Sequence, residues 1–104
     1  MTKGYWVGLV DVSDLETYKA YVRENAIAFK KYDARFLIRG GKVEKVEGAP
    51  RSRVVVIEFP SCQTALECYR SPEYQKAKAL RDNVSTADLV VVEGYDGLQP
   101  GQGS

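Results

Sequence analysis

Arg39 and Glu58 are the two side chains on which chemistry could rest. Arg39 lies in Arg35–Gly41 (RFLIRGG) and Glu58 in Arg53–Pro60 (RVVVIEFP), and both stretches read as strands. Joined as a hairpin, these strands would bring the guanidinium near the carboxylate. In a cleft, Arg39 would hold a carboxylate or enolate oxygen while Glu58 moved a proton. The competing reading is a structural ion pair, although apolar replacements of buried pairs are often as stable. Asn25 falls on a helical stripe with Tyr18, Val22 and Phe29, where its amide could polarise a ligand carbonyl or bond to backbone. Tyr69 and Tyr74 flank a helix break in CYRSPEY and could wall a pocket with their hydroxyls, or simply pack. Between them, Ser71 caps and Pro72 occupies the first helical position, both structural roles. Trp6 and Tyr5 open the first strand on opposite faces, so one of them lines the cleft. Lys76, Lys78 and Arg81 read as a solvated helix face.

The chain contains no histidine. That removes His-ligated zinc, haem and two-His iron, and every Ser–His or Cys–His nucleophile. Cys62 and Cys68 fall in one predicted helix, about 9 Å apart along its axis. That exceeds the roughly 7 Å a disulfide spans, so both are read as small, partly buried hydrophobes. Neither a metal nor a cofactor is expected, since carboxylates alone would hold Mg²⁺ or Ca²⁺ only weakly. Fifteen basic residues face fourteen acidic ones, a balance that argues against nucleic acid or an anionic membrane as partner. No apolar run approaches the ~20 residues of a membrane span, and no signal peptide precedes the first strand. A cytoplasmic location is expected.

The elements that must position these residues follow in order. At 104 residues the chain is expected to form one domain over 1–96, with a flexible tail at 97–104 that is rich in glycine and proline. Gly4–Val12 reads as a strand in which Gly8 marks close approach by another backbone or a bulky side chain. Ser13-Asp14-Leu15-Glu16 has the form of a capping box. The helix behind it runs to about Tyr32 and buries Leu15, Tyr18, Val22, Ala26 and Phe29. Lys42–Glu47 is taken as an exposed continuation of the second strand past a glycine bulge. Ser61 caps a second helix with Ala65, Leu66 and Tyr69 inward. The piece from Glu73 to about Asn83 buries Tyr74, Ala77 and Leu80, and Asp88–Tyr95 is the last strand. The order βαββαβ, with the second helix split, predicts an α+β ferredoxin-like sandwich: four antiparallel strands with the helices on one face. Strand 53–60 is apolar on both faces, so the helix-free face is expected to be covered by a second copy of the chain.

The stretches GYWVGLVDV, KYDARFLIRGG, VVIEFPS, CYRSPEYQKAKALR and VEGYDG resemble the DUF1330 family of small bacterial proteins, in order and spacing, from about Gly4 to Pro100. The resemblance implies a dimeric α/β barrel in which two ferredoxin-like sheets pack face to face, and it supplies no established activity. Relatives of that architecture include cofactor-free oxygenases, haem enzymes, lactone isomerases and non-enzymatic sensors. The missing histidine speaks against the haem branch. Where the family usually reads Tyr-Gly-Gly, this chain has Tyr32-Asp33-Ala34, which puts a left-handed helix exit on Asp33. The functional expectation is binding of a small organic molecule bearing an acidic or carbonyl group, in a cleft between sheet and helices. Cofactor-independent transformation is the catalytic form of that expectation. A non-catalytic ligand sensor or accessory homodimer is the alternative.

Overall fold

Strands β1 (Gly4–Val12), β2 (Arg35–Arg39), β3 (Arg53–Phe59) and β4 (Ser85–Glu93) form one antiparallel sheet in the order β2-β3-β1-β4. The computed structural model describes residues 2–103. Helix α1 (Leu15–Lys31) links β1 to β2, while α2 (Cys62–Arg70) and α3 (Pro72–Ala79) link β3 to β4. This is the expected ferredoxin-like arrangement.

Alternation along β1 turns Trp6, Gly8 and Val10 toward the helices and Tyr5, Val7 and Leu9 away from them. Trp6 is the centre of the core. Its ring meets Phe29 at 5.3 Å and Tyr74 at 4.8 Å, both edge to face, and Nε1 donates to the Ala65 carbonyl at 2.9 Å. Ala28, Ala65 and Ala77 are fully buried, small side chains that let the helices lie close to the sheet and to one another. Ser71 ends α2 and begins α3: its Oγ donates to the Cys68 carbonyl and accepts from the Tyr74 amide.

Several expectations require correction. Asp14, not Ser13, caps α1, accepting from the Thr17 amide at 3.2 Å and the Thr17 hydroxyl at 2.8 Å. Ser13 instead bonds to the Val84 carbonyl. Leu15 and Ala26 are exposed, and the buried stripe of α1 runs Tyr18, Tyr21, Asn25, Ala28, Phe29. In the last helical segment Leu80 is exposed and Arg81 is buried. Strand β4 starts at Ser85, because Thr86 and Ser85 continue the ladder opposite Asp11 and Val12. No strand continues past Gly40. The ladder closes with the Gly40 amide donating to the Val54 carbonyl at 3.2 Å, and residues 41–52 form an irregular connection. The bulge sits instead at Leu37, between Phe36 and Ile38. Asp33 takes the left-handed exit from α1, at φ 56°.

The helices cover one face of the sheet only. On the other face Val7, Leu9, Val54 and Val56 are half-buried, while Ile38, Val90 and Val92 are exposed, Val90 by 57%. The radius of gyration is 15.1 Å, against about 13 Å for a compact domain of this length. Residues 41–52 contribute to the excess: Val46 on that connection is almost fully exposed. No helix among the described residues is long and apolar enough to cross a membrane.

Candidate functional site

A cavity of about 50 Å³ lies between the helix-facing side of the sheet and α1, with Tyr74 and Arg81 in its lining. Its polar lining comes from separate elements. Tyr18, Tyr21 and Asn25 stand on successive turns of α1, Arg39 ends β2, Arg53 begins β3, and Arg81 follows α3. Gly8 of β1 forms part of its wall. Of the two expected neighbours it is the bulky side chain that comes nearer: an added Cβ would meet Leu89 Cδ1 at 3.4 Å and the Val55 carbonyl at 3.9 Å, both ordinary contact distances.

The Leu37 bulge aims Arg39. Phe36 pairs with Ile57 and Arg39 with Val55, so both face the helices although they are three residues apart. In an unbroken strand residue 39 would point to the opposite face. The Arg39 guanidinium rests 4.0 Å from the centre of the Phe36 ring. Arg53 is held by Gly40, whose φ is 70° and whose added Cβ would fall 2.5 Å from Arg53 Nη1. Only glycine suits both the backbone angle and that approach.

Three guanidiniums thus share a cavity whose lining includes no carboxylate. Among the described residues Arg39 and Arg53 form no ion pair, and Arg81 has only Asp82, at 3.9 Å. Arg81, 8% exposed, donates from Nη2 to the Tyr74 hydroxyl at 3.2 Å, which in turn lies 2.9 Å from the Tyr21 hydroxyl. Burial, then the neighbouring Tyr21, pushes the Tyr74 hydroxyl well above the usual tyrosine range. Burial raises Tyr18 as well. Both stay protonated at neutral pH. Asn25 is 4% exposed, and its Oδ1 is fully buried with no hydrogen-bond partner; Arg53 Nε is in the same condition. Buried polar atoms of this kind normally find a partner in protein, water or ligand.

Of the residues singled out from sequence, Arg39, Asn25, Tyr74 and Trp6 line this cavity. Trp6 offers only its ring, because its N–H is committed to Ala65. Tyr5 faces the other way. The structure does not bring Arg39 and Glu58 together. Glu58 pairs across the ladder with Tyr5 and Arg35 on the helix-free face, where it accepts from the Tyr5 hydroxyl at 3.3 Å and lies 3.9 Å from Lys3 Nζ. A single Arg39–Glu58 network is therefore excluded by the sheet itself. Tyr69 lies outside the cavity lining and packs edge-on against Trp6 at 5.8 Å.

Tyr18, Tyr21, Arg53 and Arg81 were not singled out as site residues. Their signals were present: 74, 77 and 81 share one helical stripe, and Arg53 has the same strand parity as Val55, Ile57 and Phe59. Cys68 is fully buried, its thiol pushed up to about 12 by burial, and it is inert as a nucleophile. No group of three histidine, cysteine, aspartate or glutamate side chains among the described residues is placed to hold a metal ion.

Sheet order, one-sided helices and the enclosed cavity define a ferredoxin-like α+β domain. The chain belongs to the DUF1330 family, a domain of unknown function, matched over residues 3–95. No curated protein matches it. Among solved structures it is similar to a protein of unknown function from Rhodopseudomonas palustris, with a TM-score of 0.72 and 20% identity, over 92% of this chain and 85% of that one. It is also similar to SnoaB, a cofactor-independent oxygenase from Streptomyces nogalater, with a TM-score of 0.60 and 10% identity over 94% and 98% of the two chains. A dimeric protein of unknown function and ferredoxin-like fold from Bacteroides fragilis aligns with a TM-score of 0.54 and 13% identity, over 88% and 96%. At these identities the likeness is one of fold.

Proposed function

We propose that the protein binds a small organic anion, a carboxylate or enolate, in the cavity between sheet and α1. The observation that carries this reading is the lining: three guanidiniums without a carboxylate, one of them, Arg53, with its Nε–H buried and unpartnered. Buried or crowded cations are costly unless an anion meets them, and here the chain offers only Asp82, outside the cavity lining and 3.9 Å from Arg81. Arginine favours carboxylates because its planar fork can donate two parallel hydrogen bonds. The carboxamide of Asn25 can serve a ligand hydroxyl as acceptor or a ligand carbonyl as donor.

Size sharpens the reading. One water needs roughly 10–15 Å³ on the relevant scale, so about 50 Å³ takes a carboxylate head and little more. The rest of the ligand extends out of the cavity toward solvent. The lining holds no histidine, carboxylate or cysteine to act as base or nucleophile. Any transformation would rest on stabilising an oxyanion without a cofactor, in keeping with an oxygenase of that kind among proteins of similar fold. The same lack of a base favours a non-catalytic ligand sensor as the second reading.

The helix-free face is the proposed seat of a second copy of the chain. Its apolar residues, its exposed Val90 and Val92, and a dimeric protein of similar fold support this. Light scattering at micromolar concentration should then give about twice the chain mass of 11.6 kDa; a monodisperse monomer would contradict it.

Calorimetric titration with benzoate, and with methyl benzoate as the neutral control, tests the site. Benzoate should bind and the ester should not. Arg53→Met should weaken benzoate at least about tenfold, or 1.4 kcal/mol, with little loss of stability, since no protein carboxylate is left unpaired. Equal binding of acid and ester, or an Arg53→Met variant that loses stability but not affinity, would defeat the proposal.

A further inference from the structure

The hydrogen bonds between Arg81, Tyr74 and Tyr21 have a direction. A guanidinium only donates, so the Tyr74 oxygen accepts from Arg81 Nη2 at 3.2 Å. Tyr74 is 1% exposed, and among the described residues its hydroxyl has one further partner, the Tyr21 oxygen at 2.9 Å. Were Tyr21 the donor, the Tyr74 proton would be buried without an acceptor, which incurs its full desolvation penalty. Tyr74 therefore donates to Tyr21. The Tyr21 proton is left over: among the described residues no hydrogen-bond acceptor takes it, and the Tyr21 side chain lines the cavity. Arg81 also lies 5.3 Å from the centre of the Tyr21 ring, so the whole chain of groups is fixed.

We infer that Tyr21 presents its O–H to the ligand, and that the cavity selects protic ligands (phenols, enols or carboxylic acids) as their oxyanions. This rests on the anion-binding reading above and adds the donor and the ionisation state. Tyr21 touches the ligand, whereas Tyr74 and Arg81 are positioning residues that act through it. The charged groups of the lining, Arg39, Arg53 and Arg81, all favour the anion, and Tyr18 and Tyr74 are neutral hydroxyls; the acid beside Arg81, Asp82 at 3.9 Å, lies outside the lining. The proton balance follows. The ligand's O–H bond breaks heterolytically, the electron pair stays on oxygen, and the proton passes to solvent because the lining holds no base to take it. The body of the ligand has a place to lie. Tyr18, Val22 and Arg53 also line an open groove of about 290 Å³ that runs past Leu15 and Lys19.

The probe is 4-nitrophenol, whose anion alone is yellow and which ionises near neutrality. Its pKa is read by absorbance, free and with saturating protein. The expected result is a bound pKa lower by at least roughly one unit, a tenfold preference for the anion. Tyr21→Phe should abolish most of that depression and weaken benzoate as well, though by less than Arg53→Met does. Tyr74→Phe, which frees the Tyr21 proton to turn away, should reduce it in part. A merely structural role for either tyrosine would change melting temperature and leave the bound probe's pKa where it was. A bound pKa that is unchanged or raised in the unaltered protein overturns the inference, whatever the variants do. So does benzoate binding without nitrophenol binding, or a Tyr21→Phe variant with the full depression. If neither benzoate nor nitrophenol binds, the anion-binding reading itself has failed and this inference falls with it.

Discussion

The two faces of the sheet are built from alternate residues of the same strands, yet they lack different things. On the helix side Trp6, Ile57 and Phe59 are closed over by the chain's own helices, and what remains open is a small polar cavity with unmatched cations. On the other side Val7, Val54, Val56, Val90 and Val92 form an apolar surface, half-buried to exposed, which no helix among the described residues covers. There the one partly buried acid, Glu58, is already met by Tyr5 and Lys3. A face that lacks counter-charges calls for a ligand; a face that lacks apolar cover calls for a macromolecule. The two needs are separable by mutation because a one-residue step along β1 moves from one face to the other.

The largest difference should appear at that step. Trp6→Ala removes the largest buried side chain and its bond to Ala65, and should cost about 3–5 kcal/mol in urea unfolding. Val7→Ala, one residue on and half-buried, should cost well under half of that at low protein concentration. Equal losses would mean that the helix-free face is a core in its own right. A smaller effect is expected from Val90→Asp, which places a charge on the uncovered face, midway along the edge strand β4. The fold should persist while the mass falls toward that of one chain. A variant that unfolds without first dissociating would break the distinction between the faces.

Gly8→Ala sharpens the comparison from the cavity side. The new methyl meets nothing closer than 3.4 Å, so stability should hold or rise, by up to about 1 kcal/mol. Benzoate affinity should nonetheless fall severalfold, because the methyl takes cavity space. The smallest expected effect is local to the end of α1. Asp33→Gly relieves a non-glycine residue at φ 56° and should stabilise by about 0.5–1 kcal/mol without moving affinity or mass.

Much of this architecture was legible in the residues. Gly4–Val12 matched its strand at both ends because its composition and flanking turn residues leave no other reading. Ser71-Pro72 marked the helix break because a cap followed by proline has one good use. Other features lacked a local signal. Ser13 and Asp14 are both good caps, and only the return of the chain at Val84 engages Ser13 and leaves the role to Asp14. The bulge at Leu37 has no residue signature, yet it decides which face Arg39 occupies and separates it from Glu58. The charge of Arg81 points to solvent, while the periodicity of Tyr74 and Ala77 puts residue 81 inside. A reading in which buried stripes are apolar hides such a residue, and it is one of the polar groups with which a ligand would interact.

The central claim is that an anion enters the helix-side cavity and meets Arg53 and Asn25. Nitrogen-resolved NMR of arginine Nε–H and asparagine amide groups during an acetate titration tests it most directly. Arg51 is the internal control, bound at 2.9 Å to Asp88 and 3.1 Å to Asp11, both on the helix-free face. Saturable shifts at Arg53 and Asn25, with Arg51 unmoved, are the expected result. Shifts of Arg51 and Arg53 together in proportion to ionic strength, or no shift at Asn25, would contradict it.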